Sequence, residues 1–226
     1  MNLLVKLELM IFLGLTLVGN AASAFDWPTS GRSEGIRNPF VALGFDPATN
    51  NLSGYVSATR IAPGNTDECA FVFFGNISRF NKLTIAYLNG GDAGESDSYS
   101  MGHADITADR DQLILRVNKS TIQGDCEWIL PFVGEPGIHE SAQELLITLG
   151  GLSAGNWVGI YAIKTPRAHF HRLPNESSVQ RSFVVKGDIV YVYKRNADWS
   201  YVKYEKRGRT TEGWLRTSDL LFGIGK

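Results

Sequence analysis

The chain has 226 residues, 43% of them apolar and 11% aromatic, and a formal net charge of −1. That is enough chain for one large domain or two small ones with a real core; no nucleic-acid partner is expected, and the near-neutral total by itself is uninformative. The distribution of charge says more than its total. Residues 25–165 carry 9 Lys+Arg against 16 Asp+Glu, a net of −7, while residues 166–226 carry 12 against 6, a net of +6. Either the basic part meets an anionic partner, or the two parts attract each other.

In chain order, the first element is an export signal. Lys6 is followed by an apolar run from Leu9 to Val18, and Ala22-Ser23-Ala24 then forms an A-x-A cleavage site. The run is too short for a comfortable membrane span. Cleavage before Phe25 leaves 202 residues outside the cytoplasm, periplasmic or secreted, with no stable membrane insertion. No Cys stands at the cleavage site, so no lipid anchor is expected.

Residues 25–165 read as short strands separated by turns. Gly54–Arg60, Cys69–Phe74, Leu83–Leu88, Leu113–Val117, Glu127–Phe132, Leu145–Leu149 and Trp157–Ile163 are rich in β-branched and aromatic residues. Ala62-Pro63-Gly64-Asn65, Asn89-Gly90-Gly91-Asp92 and Gly134-Glu135-Pro136-Gly137 carry turn chemistry. Ile138–Leu146 is the best short helix candidate. This pattern predicts an all-β chain whose N-terminal domain is an antiparallel β-sandwich or small barrel. Cys69 and Cys126 are the only cysteines. In an oxidising compartment two cysteines most simply pair.

Several patterns invite a chemical reading. Gly151-Leu152-Ser153-Ala154-Gly155 matches G-x-S-x-G, but that nucleophile needs a strand, a strained turn and a helix, followed by an acid and a His. Here another strand follows, so Ser153 reads as part of a Gly-rich turn. His169 and His171 share one strand face, without an evident third metal ligand. Asp92, Glu95 and Asp97 lie in an acidic Gly-rich loop without EF-hand spacing. Neither a metal nor a cofactor is expected, and no catalytic residue is assigned.

Residues 166–226 form the second domain, with the boundary placed at Thr165-Pro166. Phe183-Val184-Val185 leads into a Lys186-Gly187-Asp188 turn, then Ile189 to Tyr193, Trp199 to Tyr204, and Gly213-Trp214-Leu215. About five strands in this length make a small closed barrel. Pro174 after the first strand, the Lys-Gly-Asp turn, the spacing of Trp199 to Val202 and the Gly213-Trp214 pair resemble the bacterial SH3-like (SH3b) family over Ala168–Leu220. The resemblance implies an SH3-like β-barrel that binds a ligand, without fixing individual contacts. Alternation puts Val190 and Val192 inside and turns Tyr191 and Tyr193 outward. Trp199, Tyr201 and Trp214 complete an aromatic set suited to a groove or to capping a small core, and Lys206, Arg207 and Arg209 form the densest basic cluster. The expected function is therefore an exported binding protein for a peptide, a cell-wall peptide or glycan fragment, or a protein partner. An inhibitor or immunity-type protein is one version, and a monomer is favoured. The alternative is a cell-wall hydrolase targeted by its SH3-like module.

Overall fold

The computed structural model describes residues 30–33, 39–77, 82–88, 99–109, 112–118, 122, 126–130, 142–148 and 152–222. The expected signal peptide, the acidic loop at Asp92, Glu95 and Asp97, and the Gly134–Gly137 and Asn89–Asp92 turns lie outside the described residues.

The fold is all-β, as the alternation and turn chemistry predict. Nine strands form the first sheet: β1 (Gly31–Ser33), β2 (Phe40–Asp46), β3 (Asn51–Ala62), β4 (Asn65–Asn76), β5 (Lys82–Tyr87), β6 (Ser100–Asp109), β7 (Gln112–Asn118), β8 (Ala142–Thr148) and β9 (Leu152–Ala154). Their order is β8-β7-β6-β5-β4-β3-β2-β1-β9. From β1 to β8 each strand pairs antiparallel with the next in sequence, and β9 returns to β1. The sheet curls as a half-barrel. One face of its strands supplies a single apolar interior, in which Leu43, Leu52, Phe71, Phe73, Ile85, Ile106, Leu113, Leu115 and Leu145 are fully buried. The period of two is strict in β4: Cys69, Phe71 and Phe73 enter this interior, while Val72 and Phe74 face the second sheet.

The β3–β4 hairpin closes on Pro63-Gly64, with Ala62 paired to Asn65 and Gly64 at a φ of 83°. Pro pre-sets the first turn position, and Gly alone takes the left-handed second position without strain. Cys69 and Cys126 form the expected disulfide, which ties the helical turn α1 (Cys126–Ile129) to β4.

Two sequence expectations fail here. Residues 126–129 are a helical turn where a strand over Glu127–Phe132 was expected. Within Ile138–Leu146, read as a helix, residues 142–146 are strand. The cause is pairing: β8 lies in register with β7, Leu145 against Leu115 and Ile147 against Leu113, and burial of those side chains outweighs local helix propensity.

Six strands form the second sheet: β10 (Gly159–Ala162), β11 (Arg167–His171), β12 (Val179–Val185), β13 (Ile189–Arg195), β14 (Trp199–Lys206) and β15 (Arg209–Arg216), in the order β10-β13-β14-β15-β11-β12. Single 3₁₀ turns at Glu176–Ser178 and Thr217–Asp219 complete it. The sheet changes at Gly159, so β10 joins the second sheet although it precedes Pro166. The interior of this sheet is Phe170, Val184, Val190, Val202, Leu215 and Leu220, and Val72, Phe74 and Ala86 of the first sheet belong to the same cluster. The two sheets therefore share a core. Where β2 and β10 cross, Gly44 and Gly159 touch: a Cβ on Gly44 would lie 2.6 Å from the Gly159 Cα. Trp157 donates its indole N–H to the Leu43 carbonyl at 2.7 Å, and Ile160 donates its N–H to the Ser53 hydroxyl at 2.9 Å.

Candidate functional site

The residues singled out from sequence fall into three places. Tyr191 is the first. It does point away from the second sheet's own core, but it is only 7% exposed. Its pairing partner Ile160 and Ala42 and Trp157 cover it, with the Trp157 ring edge-on at 4.8 Å between centroids. Tyr191 is thus part of the seam between the sheets rather than a ligand platform, because β2 lies over this end of β13. Arg32 of β1 seals the rim: its guanidinium reaches the Glu205 carboxylate at 2.7 Å and the Tyr191 hydroxyl at 3.4 Å. Lys203 holds the other oxygen of Glu205 at 2.8 Å. Hydrogen bonds from Lys203 and Arg32 hold the Glu205 carboxyl below the usual carboxylate range. Tyr193 is half-buried beside this seam, and burial pushes its phenol up.

The basic cluster is the second place. Lys206 pairs with Arg209 across a two-residue hairpin in which Arg207 and Gly208 take φ of 51° and 73°, the left-handed pair that a twisted hairpin needs. Lys206 reaches Asp188 at 3.2 Å, while Arg207 and Arg209 are exposed. This tip lies seven residues along β14 from Trp199, roughly 23 Å at strand rise. The basic cluster and the Trp199 end therefore cannot form one compact patch. Nor does the basic tip dock on the acidic half among the described residues. The ion pairs between the sheets, Arg32–Glu205 and a looser Arg195–Asp46 at 3.9 Å, run in opposite charge senses.

The third place is a groove at Trp199. The Asn196 side-chain carbonyl accepts the Asp198 and Trp199 N–H groups at 3.0 and 2.7 Å and fixes the turn entering β14. Trp199 is 9% exposed and meets His171 edge-on at 4.8 Å. Register sets His171 opposite Trp214, and Tyr201 opposite Trp214 with rings 5.4 Å apart, so Trp199, Tyr201, Trp214 and His171 share one face. Two adjoining hollows open here, one of about 360 Å³ bordered by Trp199 and one of about 470 Å³ bordered by His171. Both are bounded by Glu176, Arg216 and Ser218. Arg167, His169, His171, Val179 and Asp219 extend one, and Asp198 and Ala197 the other. Arg216 reaches Glu176 at 2.6 Å across the groove. Burial pushes the Asp219 carboxyl up against the pull of Arg216.

The two histidines present one chemical face. His171 Nδ1 lies 2.9 Å from the Asn175 carbonyl and His169 Nδ1 lies 3.3 Å from the Gln180 carbonyl. A carbonyl only accepts, so Nδ1 carries the proton in each neutral ring, and Nε2 is left as the acceptor. Among the described residues no group of three His, Cys, Asp or Glu side chains is placed to hold a metal.

Of the aromatic set named from the sequence, Trp199 borders the smaller hollow while Tyr201 and Trp214 line neither, and Glu176, Asp198, Arg216 and Asp219 were not named. Arg216 was within reach, two residues after Trp214 and hence on the same strand face. Glu176 and Asp219 come from separate turns, which only the fold brings together.

Two other places stand apart from the groove. A third hollow, of about 550 Å³, lies where the sheets part, over Phe74, Tyr161 and Phe222. Its Arg195 is engaged by Asp46 and stacks 5.1 Å from the Phe222 ring centroid. Ser153 sits in β9, paired with Arg32 of β1, and its buried hydroxyl meets no hydrogen-bond partner among the described residues. No described helix is long and apolar enough to cross a membrane. Comparison with protein-family models, with curated proteins and with solved structures gives no match.

Proposed function

We propose that this is an exported binding protein whose second sheet, an SH3-like module, holds a short zwitterionic peptide of the kind found in bacterial cell-wall stems. The observation that carries the reading is the groove at Trp199. There an indole wall stands beside a guanidinium, Arg216, and the carboxylates Glu176 and Asp198. Aromatic walls supply apolar area at low entropic cost, and paired charges of both signs orient a ligand that carries both. Export is supported by the Cys69–Cys126 disulfide, which persists in oxidising compartments, and by the signal-like N-terminus.

Co-sedimentation of the protein with purified peptidoglycan tests this. The bound fraction should fall at least about fivefold in Arg216→Ala, the loss expected for one charge-assisted contact. Unchanged binding in that variant, or no sedimentation of the native protein, would count against the groove. Release of soluble fragments by the native protein would replace the binding reading with the hydrolase one.

A further inference from the structure

The hollow where the sheets part combines aromatic rings with positive charge. Phe74 and Tyr161 line it and are themselves buried. Phe222 packs on Tyr161 with ring centroids 4.3 Å apart. Lys82 of β5 and Arg195 of β13 also line it, and no carboxylate is among the lining residues, although the first sheet belongs to the acidic half of the chain. Lys82 is exposed and forms no ion pair among the described residues. Arg195 meets the Asp46 carboxylate only at 3.9 Å, through an oxygen that already accepts the Thr49 hydroxyl at 2.7 Å, and it touches the Tyr161 hydroxyl. A guanidinium has more donors than those two partners take. Two lining amides are spent on one side only. Asn51 Oδ1 accepts from the Asn76 amide at 3.2 Å, and Asn196 Oδ1 accepts the Asp198 and Trp199 N–H groups. The amide nitrogens of Asn51 and Asn196 meet no acceptor among the described residues.

We propose that this hollow binds a small aromatic carboxylate. The ligand's ring would lie against Phe222 and Tyr161, and its carboxylate would accept from Lys82, Arg195 and the unspent amide nitrogens. The volume suits a small molecule. A sugar is the poorer occupant, because its hydroxyls donate as well as accept, whereas the unspent ammonium, guanidinium and amide groups here only donate. A neutral aromatic ring would leave both cations without a partner of opposite charge. The inference does not rest on the Trp199 groove: of the residues lining this hollow, only Ala197 also borders that groove.

Isothermal titration calorimetry of the whole protein tests this with naphthoate, its uncharged amide, and glucuronate. Naphthoate should bind saturably, and more weakly at high salt. The amide and glucuronate should each bind at least about tenfold more weakly, and Lys82→Glu should cost naphthoate at least about tenfold. Because Lys82 is exposed, that variant should keep the native thermal melt. It should also keep native peptidoglycan sedimentation, while Arg216→Ala should leave naphthoate binding unchanged, so the hollow and the groove can fail separately. No saturable binding of naphthoate, equal binding of its amide, glucuronate binding as tightly as naphthoate, or native naphthoate affinity in Lys82→Glu would each overturn the proposal.

Discussion

The outward face of the second sheet has two ends, and they make opposite use of similar residues. At one end Tyr191 and Ile160 meet Trp157 and Ala42 of the neighbouring layer, and the Trp157 indole N–H is satisfied by the Leu43 carbonyl. At the other end Trp199 and His171 are buried about as deeply against each other, and the exposed side chains of Arg216 and Glu176 border the hollows beside them. Both ends are aromatic. What separates them is the neighbour: β2 and Trp157 lie over the closed end and its rim charges are partly buried, while the Arg216–Glu176 pair at the open end is more exposed and borders two hollows. Aromatic content alone therefore does not mark a binding surface.

The largest expected effect comes from removing the neighbour altogether. A fragment of residues 166–226 lacks β10 and the cover of Val72, Phe74 and Ala86. It should give a circular dichroism spectrum without a cooperative melt, whereas the whole protein melts cooperatively. A folded fragment would break the claim that the sheets share one core.

Single substitutions sharpen the same contrast. Trp157→Ala at the closed end should destabilise by about 3–5 kcal/mol, the usual cost of emptying a buried aromatic site. Arg216→Ala at the open end should stay within about 1 kcal/mol, since its side chain is exposed and exposed positions are tolerant. Urea titration of both variants reads the difference, and equal losses would erase the distinction between the ends. Replacing Cys69 and Cys126 together by Ala should cost about 2–4 kcal/mol through the unfolded state, measured against the oxidised protein, and should leave peptidoglycan sedimentation intact.

The smallest effect belongs to the rim of the seam. Glu205 is held below the ordinary glutamate pKa by Lys203 and Arg32. A depressed carboxyl stabilises the fold above its unfolded pKa, about 4.3, and that contribution is lost as pH falls through the folded pKa. Stability should therefore decline on acidification below about pH 4.3, and Glu205→Gln should flatten that part of the profile. An identical acid limb in the variant would remove Glu205 from the seam's electrostatics.

How much of this was legible in the sequence depends on how local the signal is. The Pro63-Gly64 and Gly187 turns were readable because each needs a particular φ from its own glycine. The disulfide was readable from a count of two. β2 was not: Val41, Ala42 and Leu43 are all buried, so the strand shows no alternation. β6 hid for a different reason, because Gly102 and Ala104 fill inward positions where a larger apolar residue would have announced a strand. Period two correctly turned Tyr191 outward from its own sheet but contained nothing about the layer waiting there. The groove was half legible. Trp199 stood out by type, while Glu176, Arg216 and Asp219 acquire their meaning from a meeting of turns distant in sequence.

The central claim, that the open end binds and the closed end only holds, is tested most directly by two-dimensional NMR of the whole protein titrated with a purified muropeptide. The account predicts saturable shifts centred on His171, Trp199 and Arg216, with Trp157 and Tyr191 unmoved. Saturable shifts centred on the Trp157–Tyr191 seam or on the hollow at Tyr161 and Phe222, with the Trp199 groove silent, would contradict it.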